Sequence, residues 1–128
     1  QAYVTGMQAA DPWTKVGVMI RDTLAADAAN VSALVSATNG ISLQYRSVAS
    51  GSTTQVTTSG LSAPYWVKVT RVGNAFSAYR STDGTNWTQL GTTQTITMGS
   101  SVYIGIAATS HNSSIWAQGS LSNVTAVP

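Results

Sequence analysis

"APYWVKVTRVGNAFSAYRSTDGTNWTQLG" occupies residues 63–91 and holds two turn signals between runs of alternating character. In its first run, Tyr65, Val67 and Val69 fall on one face of an extended chain, and Trp66, Lys68 and Thr70 on the other. Gly73-Asn74 marks one turn and Asp83-Gly84 the next. A glycine at such a corner accepts positive φ, and an aspartate beside it can bind nearby amides. The stretch therefore reads as three successive antiparallel strands, near 65–72, 75–81 and 86–90.

The same period of two runs outward in both directions. Further strands are expected near 2–9, 15–21, 31–37, 41–48, 53–58, 94–98, 102–109 and 115–126. Asp11-Pro12, Asn39-Gly40, Ser59-Gly60, Met98-Gly99-Ser100 and His111-Asn112-Ser113 supply turn chemistry between them. Only the alanine-rich stretch 22–35 hints at a helix, and it soon becomes strand-like. Ile41, Leu43 and Tyr45 share one face, as do Ile115, Ala117, Gly119 and Leu121; Gln44, Arg46, Trp116 and Gln118 are left pointing outward. "VYIGIAATS" (102–110) is apolar on both parities and reads as a central strand. The expected fold is all-β, a two-sheet antiparallel β-sandwich, with residues 1–128 as a single domain.

Composition narrows the function. Charged residues make up 8% of the chain, against about 25% in ordinary soluble domains. Serine and threonine exceed a quarter of it, giving a neutral, hydroxyl-rich surface of the kind common in secreted β-proteins. Lys15, Arg21, Arg46, Lys68, Arg71 and Arg80 are scattered singly, without the clustered basic footprint that nucleic-acid binding needs. No apolar run approaches the ~20 residues of a helical membrane span. There is no cysteine, so no disulfide framework forms. The strand-like start at Gln1 suggests a processed chain or part of a longer one.

The spacing Ser81-x-Asp83-Gly84-x-x-Trp87 resembles the Asp-box of sialidases and other extracellular β-proteins. That resemblance implies a structural turn in which Asp83 orders the corner and Trp87 packs beneath it. A wider resemblance spans nearly the whole chain, through "DPWTKVGVMIRDTL" (11–24), "GISLQYRS" (40–47), residues 63–91, "VYIGIAATSHNSS" (102–114) and "LSNVTAV" (121–127). Together these segments look like the concanavalin A-like, laminin-G-like jelly-roll domain found beside catalytic and adhesive modules of secreted bacterial proteins. The resemblance implies a jelly roll and architectural roles for Trp13 and Arg21. It also implies an additional N-terminal strand that this sequence does not show. Gln1 to Gln8 and Ser120 to Pro128 are then the segments expected to flank an open sheet edge, available for self-association.

The residues offer little for catalysis. Polysaccharide hydrolysis normally uses paired carboxylates. This chain has no glutamate, and its acids are Asp11, Asp22, Asp27 and Asp83, with no spacing that pairs them on one strand. His111 is the single histidine, so a metal site built on His and Cys is excluded. No cofactor is implied. Sugars, by contrast, lie on Trp and Tyr faces while amides and guanidinium groups take their hydroxyls. Parity selects Trp116 and Tyr79 as outward aromatics, with Gln44, Arg46 and Gln118 as polar companions. The leading expectation is a non-catalytic secreted module that binds carbohydrate or attaches a larger protein to a surface. The alternative is a structural subunit of an extracellular filament or fibre joined by inter-chain strand pairing. A glycan-active hydrolase comes third.

Overall fold

A computed structural model describes the whole chain, Gln1 to Pro128, and no residue of it is helical. Ten strands form in chain order: β1 (Ala2–Gln8), β2 (Lys15–Arg21), β3 (Asn30–Ser36), β4 (Ile41–Arg46), β5 (Thr54–Thr58), β6 (Tyr65–Val72), β7 (Ala75–Ser81), β8 (Thr88–Thr95), β9 (Tyr103–Thr109) and β10 (Gln118–Ser122). They make two antiparallel sheets, one in the order β10-β1-β6-β7-β8 and the other β5-β4-β3-β2-β9. Two meanders, β2 to β5 and β6 to β8, are the local parts. β1, β9 and β10 attach across long stretches of sequence.

The alternation of the sequence becomes the core. Val16, Val18 and Ile20 of β2, Val31, Ala33 and Val35 of β3, and Ile41 and Leu43 of β4 fill the inner face of one sheet. Ala2, Val4, Val67, Phe76, Ala78 and Leu90 meet them from the other. The expected facing of Ile41, Leu43 and Tyr45 is seen, with Tyr45 packed at the margin. At one end of the core, Arg71 closes over the Phe76 ring at 5.4 Å and donates to the carbonyl oxygens of Gly73, Met98 and Gly99.

Four expectations are corrected. The strands near 86–90 and 94–98 are one strand, β8, interrupted by a bulge. Gly91 allows this: its φ of +60° suits glycine, and a Cβ there would press on Leu43 at 3.0 Å. The strand expected over 115–126 is confined to Gln118–Ser122, so Ile115 is exposed in a loop and not in the core. Gln1 to Gln8 does not flank an open edge, because β1 lies inside its sheet with β6 on one side and β10 on the other. Finally, β9 is not central. It pairs only with β2 and ends its sheet. It is apolar on both parities for another reason: its inward side chains continue the core past the end of the facing sheet, and Gly105 and Ala107 are small residues on its outer face.

Phe76 is fully buried between the sheets. Phe76→Ala should cost about 3–5 kcal/mol, the range for removing a buried aromatic from a core. Urea unfolding followed by tryptophan fluorescence checks this; a loss under about 1 kcal/mol would show that the core is not packed around this ring.

Candidate binding site

At one end of the sandwich two loops are tied together. Asp11 opens the first: its Oδ1 accepts the Trp13 amide at 2.7 Å, and its carbonyl oxygen accepts the Thr14 amide at 2.9 Å. The Thr14 hydroxyl accepts from the amides of Ala10 and Asp11, both at 3.1 Å, and donates to the Ser110 carbonyl at 2.9 Å. The second loop, 110–117, holds its own shape through Asn112. The side-chain oxygen of Asn112 accepts the Ser114 amide, and its carbonyl oxygen accepts the Ser110 hydroxyl and the Ile115 amide. His111, in the left-handed region at φ 59°, places Nδ1 3.1 Å from Asp11 Oδ1 and adds a second tie between the loops.

Between these loops and the start of β10 lies a cleft of about 410 Å³. Met7, Val16 and Ala117 give it an apolar floor and flank; Asn112, Ser113, Ser114 and Gln118 give it amides and hydroxyls. Trp116 stands at its rim with 96% of its surface exposed, held there by a loop whose backbone is internally bonded. No carboxylate lines the cleft. β10 approaches β2 closely below it, because Gly119 has no side chain: a Cβ there would lie 2.8 Å from Val16. Lys15 touches the cleft through a strand whose odd positions face away from the core. Its ammonium lies 5.3 Å from the Trp13 ring centroid. Burial pushes it below the ordinary lysine range, and Asp11 partly offsets that.

The five residues selected from parity fall in three places. Trp116 and Gln118 come together at the cleft. Tyr79, on β7, belongs to the outer face of the β10-β1-β6-β7-β8 sheet, where the Lys68 ammonium lies 5.1 Å from its ring centroid and 3.9 Å from that of Trp87. Gln44 and Arg46, on β4, lie on the outer face of the opposite sheet. Gln44 donates to the Gln55 side chain, and Arg46 to the carbonyl oxygens of Ala26 and Ala28. Two outer faces that point apart cannot share one ligand with an end cleft. Asn112, Ser113 and Ser114, which form the cleft's polar wall, were read from sequence only as turn chemistry. Nothing local shows that this turn folds back beside β10.

The Ser81–Trp87 corner uses its polar groups on itself. Ser81, buried, donates to Asp83 Oδ1 at 2.9 Å and accepts from the amides of Asp83 and Gly84. Asp83 Oδ1 also accepts the amides of Thr85 and Asn86, at 2.8 and 2.7 Å, and Oδ2 accepts the Asn86 side-chain amide at 2.7 Å. The bonds from Asn86, Thr85 and Ser81 hold the Asp83 carboxyl far below the usual carboxylate range. Gly84, at φ +74°, sits against the Trp66 ring, which a Cβ would approach to 2.9 Å. The indole under Gly84 is thus Trp66, whose ring centroid is 5.1 Å from that of Tyr3, while Trp87 meets Lys68.

No protein-family model matches the chain, and neither does any curated protein or solved structure compared with it.

Asp83→Ala should lower the melting temperature at neutral pH, because the corner loses the acceptor for its own amides. A carboxyl whose folded pKa is depressed stabilises above its unfolded value of about 3.9, and that contribution fades as pH falls below it. The difference in melting temperature between the native chain and the variant should therefore shrink on acidification. Calorimetry from pH 7 down to about 2.5 checks this, and a gap that widens instead would contradict the assignment.

Proposed function

We propose that this chain is a non-catalytic, secreted carbohydrate-binding module of concanavalin A-like jelly-roll type, and that the cleft beside Trp116 holds the sugar. The observation that carries this reading is the exposure of Trp116. A flat indole presented to solvent beside amides and hydroxyls suits a sugar's C–H face and hydroxyl rim. Gln118, Asn112, Ser113 and Ser114 supply donors and acceptors within the same cleft. The two-sheet sandwich and the resemblance across residues 11–127 support the family reading. The neutral, hydroxyl-rich surface accords with an exported protein. The absence of any carboxylate in the cleft favours binding over hydrolysis, which requires a placed acid and base.

Trp116→Ala is the direct test. Losing one stacking aromatic at a wet site costs about 1–3 kcal/mol, by analogy with base stacking. A glycan array should first identify a bound polysaccharide or oligosaccharide. Titration calorimetry should then show the Kd rising by roughly 5- to 150-fold in the variant. The melting temperature should stay unchanged, because the ring supports nothing else. A sugar that binds the variant as tightly as the native chain removes the cleft from consideration.

A further inference from the structure

The sandwich is open along one side. At the other side β8 lies against β4 and β5, so the two sheets close on each other. On the open side β9 has no such partner, and its extensive contact is with β2 alone. Register with β2 fixes where its side chains point: Ile104 lies opposite Ile20 and Ile106 opposite Val18, both core residues. Ile104 and Ile106 are therefore core-facing positions, yet they are 57% and 53% exposed. Beside Ile104 runs a furrow of about 750 Å³ whose apolar lining includes Ile20, Val69 and the exposed Val127, and Val124, also exposed, lines a smaller pocket next to Ile104. The outward N–H and C=O groups of β9 pair with nothing, since β9 ends its sheet.

We propose that this edge pairs with β9 of a second copy of the chain, antiparallel about Gly105, to give a two-fold dimer. The sequence of β9 is complementary to itself in that register. Ile104 of one copy comes opposite Ile106 of the other, so four isoleucines close the open core together. Tyr103 comes opposite Ala107 on the outer face, a large residue against a small one, and the two Gly105 backbones meet at the axis. Directly opposed residues have Cβ atoms about 4.5–5.5 Å apart, which is contact distance for such pairs. The electrostatics permit it. Ser101 to Pro128 contains no Lys, Arg, Asp or Glu, so β9 itself brings no charge to the contact and none of the lysines that usually guard a free edge; the cationic side chains near the furrow, Lys68 and Arg71, belong to β6 of the facing sheet. The other edges are less suited: β8 and β10 join their neighbours through bulges, and β5 does not carry a pair of exposed isoleucines. A two-fold contact uses the same patch on both copies, so it closes at two and yields no filament.

The proposal does not depend on glycan binding. Its test is sedimentation of the full chain over a hundredfold dilution, with Ile106→Lys and, as a control on the other edge of the same sheet, Val56→Lys. Both positions are exposed, so circular dichroism should show each variant folded. The native chain and Val56→Lys should be dimers that dissociate on dilution. Ile106→Lys should raise the dimer Kd at least about tenfold, because it sets charges against an apolar partner. A native chain that is monomeric throughout, one that forms assemblies larger than two, or a dimer that Val56→Lys breaks and Ile106→Lys spares would each overturn the proposal.

Discussion

β1 is hydrogen-bonded on both sides, to β6 and to β10, and the rest of the architecture hangs on that placement. Ala2 and Val4 are fully buried by it, and the last strand has nothing else in its sheet to hold. The pairing joins residues more than a hundred positions apart, such as Tyr3 with Ser122. Loop-closure entropy must be met before such contacts give anything back, so the local meanders β2–β5 and β6–β8 are the elements suited to form early. The N-terminal strand then completes a sheet whose middle strands already exist.

Much of this was readable from period and turn chemistry. Where one face is buried and the other is wet, the sequence alternates, and the inward and outward faces of β4 and β6 could each be assigned. Asp83-Gly84 and Gly73-Asn74 set corners because positive φ leaves few alternatives. The errors came where tertiary placement overrides local pattern. β9 reads as central because both its faces are apolar, but a strand at an edge shows the same pattern when its core-facing side is left open. The segments near 86–90 and 94–98 read as two strands, yet a bulge at Gly91 lets one strand continue. Parity from Ile115 onward assumed a strand that does not start until Gln118.

The candidate site was legible only in halves. Trp116 and Gln118 were visible as outward positions, and the cleft joins them. Tyr79, Gln44 and Arg46 were outward too, but outward on a sandwich has two opposite senses, and parity does not distinguish them. The polar groups of these three are also engaged. Lys68 sits on Tyr79, Gln55 takes the Gln44 amide, and two carbonyls take Arg46. The Asn112–Ser114 wall required knowing which loops share an end of the molecule, a property of topology and not of spacing.

Gly119 gives the cleft an unusual kind of control. The distance between β10 and β2 at this point is set by an atom that is missing, since any Cβ would meet Val16. Residue 119 is on the opposite parity from Gln118 and Ser120, so it bears on strand spacing more than on the groove's polar rim. A single methyl group there acts as a shim: it alters the gauge of the groove and leaves the chemistry of its rim intact. Substitution beneath the groove would thus change the space beside Trp116 without altering the side chains at its rim.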